Sequence, residues 1–165
     1  MKRPVEEYLL RGDISGLPEI RKSDPNSRVS ADNRTFLHLA VIGKNIEIVQ
    51  VLLDQGADQS ARDKQGLSPL HLAVISKLTA VAKVILDAGA EVDPRDRRGL
   101  TPLWYSISIQ PLDYDLIYLL LERGANADLV FAHGRSPRSL AAEMNDPNLM
   151  SVFRRAEQVK KTRGE

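Results

Sequence analysis

His38 and His71 are the residues best suited to chemistry in this 165-residue chain. Two imidazoles could share a metal ion, or one could act as a general base. A zinc site needs at least a third ligand at suitable spacing, and the sequence sets none beside either histidine. There is no cysteine, which excludes disulfides, thiolate zinc sites and cysteine nucleophiles. No glycine-rich phosphate loop, nucleophile elbow or His-Glu-x-x-His is present. Glu6, Glu7, Asp113 and Asp115 fall at expected helix starts, where carboxylates complement the helix dipole. No pair of them is set as the acid and base of a glycosidase. The chain is therefore expected to have no catalytic residues, no cofactor and no metal.

Bulk composition is that of a folded domain, 42% hydrophobic and 27% charged. Aromatics are only 5%, so Leu, Ile, Val and Ala must fill the core. A net charge of +1 offers no general attraction to nucleic acid or to a membrane. No apolar run is long enough to span a bilayer. The opening stretch "MKRPVEEYLLRGD" lacks the apolar block of a secretory leader, so a cytoplasmic location is expected. Arg11-Gly12-Asp13 then reads as a helix-breaking turn, not an adhesion tripeptide. Asn33-Arg34-Thr35 reads as loop, not a glycosylation site.

What must position the histidines is a repeat. Thr35, Ser68, Thr101 and Ser136 follow one another at 33, 33 and 35 residues. Gly56, Gly89 and Gly124, a second marker, are 33 and 35 apart. Each hydroxyl is placed to cap a first helix. Pro69, Pro102 and Pro137 follow at the first helical position, where a missing N–H costs little. Phe36 departs from that pattern and predicts a looser helix start. Second helices show apolar spacing at Ile46, Ile48, Val49, Leu52 and Leu53; at Val81, Val84, Ile85 and Leu86; and at Leu116, Ile117, Leu119, Leu120 and Leu121. Gly56, Gly89 and Gly124 close them as left-handed caps. Gly66, Gly99 and Gly134 turn the projecting segments that follow.

The period and the Thr/Ser-Pro-Leu-His-x-Ala pattern resemble the ankyrin repeat. The resemblance implies an all-α ankyrin-repeat solenoid of helix-turn-helix units with hairpin-like fingers. The expected organisation is one domain over 1–165: an N-terminal cap unit at 1–30, repeats at 31–63 and 64–96, a lengthened repeat at 97–131, a C-terminal cap unit at 132–157 and a fraying charged tail at 158–165. It also implies that His38 and His71 bond backbone between units. In the third repeat Trp104 takes the histidine position, and two extra residues fall around Ser108–Tyr114, with Pro111 expected to end the helix.

The resemblance further implies binding, not catalysis: a protein partner met on a concave face. The residues just after the finger-turn position, Arg34 (after Asn33), Leu67, Leu100 and Arg135 (after Gly66, Gly99 and Gly134), are expected to face outward. On the inner helices Ile42, Ile75, Ser108 and Ile109 are expected to form an apolar strip with Trp104 at its centre. Arg62, Lys64, Arg95, Arg97 and Arg98 cluster on two fingers, with Asp63, Asp93 and Asp96 as counter-charges. Stacking aromatics are missing from the fingers, so nucleic acid is not an expected partner. Gly99–Trp104, Leu119–Leu129 and Gly134–Ala141 resemble segments of compact bacterial ankyrin proteins, many of them immunity proteins. That implies a monomer when free that neutralises a cognate toxin; the alternative is a scaffold or adaptor without a toxin partner.

Overall fold

A computed structural model describes residues 3–29, 31–131 and 134–163. The ends of the cap unit at 1–30, the start of the unit at 132–157 and the end of the tail at 158–165 therefore lie partly outside the described residues. Among the described residues ten α-helices alternate between two layers. The inner layer holds α1 (Val5–Arg11), α3 (Phe36–Ile42), α5 (Pro69–Ile75), α7 (Pro102–Ser108) and α9 (Pro137–Glu143), each packed on the next. Behind them α4 (Ile46–Asp54), α6 (Thr79–Asp87), α8 (Tyr114–Glu122) and α10 (Pro147–Arg163) stack in the same order. The short α2 (Leu17–Ile20) completes the first unit. No helix among the described residues is long and apolar enough to cross a membrane.

Period and packing coincide. Leu37, Leu70 and Leu103 are fully buried at the same point of successive inner helices. Ile48, Val81, Leu116 and Leu149 are buried one turn into the outer helices, and Leu52, Ile85, Leu120 and Phe153 one turn further on. Ile46, grouped with the core by its spacing, is instead exposed at the first position of α4. Phe36 is buried and α3 starts at the same point as its siblings, so the looser start does not occur. Among the described residues α10 runs on past residue 157 to Arg163. Arg138 ties this helix down, bonding Asp128 at 2.7 Å and Glu157 at 2.6 Å while lying over the Phe153 ring.

The histidines join the units. The Thr35 N–H donates to His38 Nδ1 and the Ser68 N–H to His71 Nδ1. Each ring therefore carries its proton on Nε2. That N–H donates to a carbonyl of the next unit, Leu67 for His38 and Leu100 for His71, both at 3.1 Å. Both rings are fully buried. Burial lowers both pKa values, His71 to about 4, against the opposing effect of the bonded carbonyl.

This has a sign that can be measured. The ordinary histidine value is 6.5 and the folded value of His71 is about 4. Between them the unfolded chain takes up a proton that the folded chain refuses. The stabilisation is full above the ordinary value and is lost as pH falls through this window. From pH 7 to pH 5, His71 should remove about 2 kcal/mol of stability. Urea unfolding across that range should show a steeper decline for the wild type than for His71→Gln. Equal slopes would contradict a buried neutral imidazole.

Candidate protein-recognition surface

The fingers are tight turns held from inside. In the second, Asp63 N–H donates to Leu67 O and Gly66 N–H to Asp63 O; in the third, Asp96, Leu100 and Gly99 repeat the pattern. Gly66 has φ 80°, and a Cβ there would stand 2.7 Å from the Arg97 backbone nitrogen, so only glycine fits. Asp63 Oδ1 accepts from the N–H groups of Gln65 and Leu67. Asp96 Oδ1 accepts from those of Arg98 and Leu100. Neighbouring fingers join through Lys64 N–H to Asp32 O at 2.7 Å and Arg97 N–H to Gln65 O at 3.0 Å.

This arrangement corrects the expected outward leucines. Leu67 and Leu100 are each only 7% exposed. Their carbonyls receive the histidines, so the chain at the finger root is drawn against the preceding unit. They do not offer apolar tips to a partner. Arg34 is not free either: it is half-buried and its Nε donates to Asp63 Oδ2 at 3.3 Å. Arg135 is exposed but paired with Glu143, and Arg62 pairs with Glu91.

The remaining finger cations behave differently. Lys64, Arg95, Arg97 and Arg98 are exposed, and their side chains have no hydrogen bond or ion pair among the described residues. The aspartates expected to offset them are engaged elsewhere. Asp63 holds Arg34, Asp93 Oδ2 accepts from Asn126 N–H, and Asp96 Oδ2 accepts from Tyr105 OH at 2.7 Å. Lys64, Gln65, Arg97 and Arg98 rim a groove of about 440 Å³ floored by Leu67, Asp96 and Tyr105. Arg95 is not part of its lining. Burial and the bond to Asp96 hold the Tyr105 phenol up to about 12, so it stays a neutral donor.

At the ends of α5 and α3, Ile75 and Ile42 are half-buried and packed on the core. Ser108 is exposed, while Ile109 is half-buried just beyond the end of α7. Pro111 does not end that helix; the backbone is already extended at Ile109. Left-handed residues Gly12, Lys44, Lys77 and Asn145 mark the same turn in four units. Two residues before them stand Leu10, Ile42, Ile75 and Glu143. Leu10, 47% exposed, thus extends the apolar row into the first unit. Matching Gly12 to Lys44 in the sequence would have found it.

A model of ankyrin repeats in three copies matches residues 7–96, more than half of the chain. The chain belongs to the ankyrin-repeat family. It is 37% identical over 67 residues, 41% of this chain, to ankyrin repeat domain-containing protein 13C-A of Xenopus laevis. It is 37% identical over 64 residues, 39% of this chain, to the BTB/POZ domain and ankyrin repeat-containing protein NH5.2 of Oryza sativa subsp. japonica. The potassium channel AKT3 of the same plant is 38% identical over 61 residues, 36% of this chain. These alignments span 13%, 13% and 7% of the relatives' own lengths. Ankyrin repeats make this chain a protein–protein interaction module, and no catalytic family is indicated. Among the described residues no group of His, Asp or Glu is placed to hold a metal ion.

Within the ankyrin stack, Trp104 occupies the histidine position but not its role. Its half-buried indole meets the Phe131 ring edge-on, with centroids 5.0 Å apart. It closes the seam to the C-terminal unit instead of standing free at the centre of a strip. Trp104→Ala should therefore lower stability by about 2 kcal/mol. A double-mutant cycle with Phe131→Ala should return a coupling of ~0.5–1.5 kcal/mol. Unchanged unfolding in Trp104→Ala would return the indole to the strip.

Proposed function

We propose that this ankyrin module is an immunity protein, acting in the cytoplasm as a monomer that docks on a cognate protein toxin. The docking face is the inner-helix row of Leu10, Ile42 and Ile75, continued by Ser108 and Ile109, together with the finger groove. The observations behind the docking face are the incompletely buried aliphatic side chains that recur near the ends of α1, α3 and α5, and the finger cations that have no ion pair among the described residues. An apolar row rimmed by charge is the pattern of a specific protein interface. A rigid stack also loses little conformational freedom on docking. The toxin as partner rests on the resemblance of Gly99–Trp104, Leu119–Leu129 and Gly134–Ala141 to compact bacterial ankyrin proteins, many of which are immunity proteins. The domain organisation set out from the repeat period is part of the same proposal.

Growth rescue tests it. Co-expressed with a secreted protein encoded beside its gene, the wild-type chain should restore growth. Ile75→Arg should not, and neither should Leu10→Arg, whose exposed position keeps the fold safe. Protection by both variants would remove the inner-helix row from the interface. Failure of the wild type to protect against any neighbouring secreted protein would leave the adaptor reading in its place.

A further inference from the structure

We infer that the groove between the second and third fingers takes an acidic, extended segment of the protein partner, with carboxylates on Lys64, Arg97 and Arg98 and an apolar side chain between them. This rests on the reading of the finger groove as part of a docking face and adds the chemistry of what docks there. Three cations border one groove without a hydrogen-bonded or ion-paired anion among the described residues. Arg3, Arg11, Arg62, Arg123 and Arg138 sit in ion pairs, while Arg21 and Arg154 do not among the described residues; the finger cations differ in that three of them border one groove. The difference has a structural cause. Asp63 and Asp96 are drawn under the fingers to bind turn N–H groups, and their second oxygens are taken by Arg34 and Tyr105.

Cations held together without a direct ion pair repel one another, and an incoming anion adds to what the Asp96 carboxylate in the floor supplies. The two fingers fix the spacing: Lys64 lies on one, Arg97 and Arg98 on the next, and the Arg97 N–H to Gln65 O bond locks them side by side. Leu67 and Tyr105 between them give an apolar side chain a floor. A peptide suits this groove better than a nucleic acid. The Tyr105 ring meets His71 edge-on and its hydroxyl is fixed to Asp96, so it is no free stacking platform.

The test uses the purified chain and fluorescein-labelled peptides in which glutamates alternate with single leucines, read by anisotropy. A peptide with glutamine for every glutamate and a single-stranded oligothymidine are the comparison probes. The wild type should bind the glutamate peptide about tenfold more tightly than the glutamine peptide, with affinity falling as salt rises. The triple variant Lys64→Gln, Arg97→Gln, Arg98→Gln should lose about tenfold and show a flatter salt dependence. A control with equal charge removed, Lys22→Gln, Arg154→Gln, Lys161→Gln, should bind as the wild type does. Equal loss in the control would reduce the effect to net charge and overturn the inference. Equal affinity for the glutamine peptide would do the same, and tighter binding of oligothymidine would replace the peptide with nucleic acid. If peptide discrimination fails while Leu10→Arg still abolishes growth rescue, only the acidic partner falls. The converse result would remove the toxin and keep the groove.

Discussion

A neutral imidazole that reaches from one unit into the next sets the rest of this structure. Thr35 and Ser68 present backbone N–H groups to Nδ1, which forces the proton onto Nε2. Nε2 then has one partner within reach, the carbonyl at the root of the next finger. That bond holds the backbone of Leu67 and Leu100 at the finger root, next to turns whose N–H groups bond Asp63 or Asp96. With both oxygens of each carboxylate occupied, Lys64, Arg97 and Arg98 are left without an ion-paired carboxylate among the described residues. The charge on the groove is thus a consequence of how the repeats are joined.

The third unit shows what happens when the histidine is absent. Trp104 cannot reach a carbonyl in the same way, and the seam is made by an edge-to-face contact with Phe131. Tyr105, on the next position of α7, bonds Asp96 in its own finger. The lengthened turn is anchored along the edge away from the fingers. Lys77 Nζ donates to Pro111 O at 2.6 Å and Thr79 Oγ1 to Asp113 Oδ2 at 2.9 Å. Tyr114 OH donates to Asp146 Oδ2 at 2.7 Å, carrying the same edge into the last unit. The extra residues therefore leave the outer-helix stack in phase, with Leu116 buried where Ile48 and Val81 are buried.

The repeat frame was legible in the sequence because it depends on local chemistry. Hydroxyl caps, first-turn prolines and left-handed glycines act over a few residues, and their spacing alone reveals the period. The binding face was less legible because exposure depends on the neighbouring unit. Leu67 looks like a free tip until the preceding histidine is seen to hold its backbone in place. Arg34 looks like a free cation until Asp63, on the next finger, is seen to take it. Trp104 looked like an anchor for a partner because nothing in its own helix predicts Phe131. Leu10 was missed because the first unit lacks the Thr/Ser-Pro marker, and only its left-handed Gly12 aligns it with the others.

The most direct measurement is a backbone amide NMR titration of the labelled chain with the glutamate–leucine peptide. The shifts should concentrate at Lys64, Gln65, Arg97, Arg98 and Tyr105 and extend to Ile75. Shifts confined to the outer helices α4, α6 and α8, or to α10, would contradict a docking face built from the fingers and inner helices.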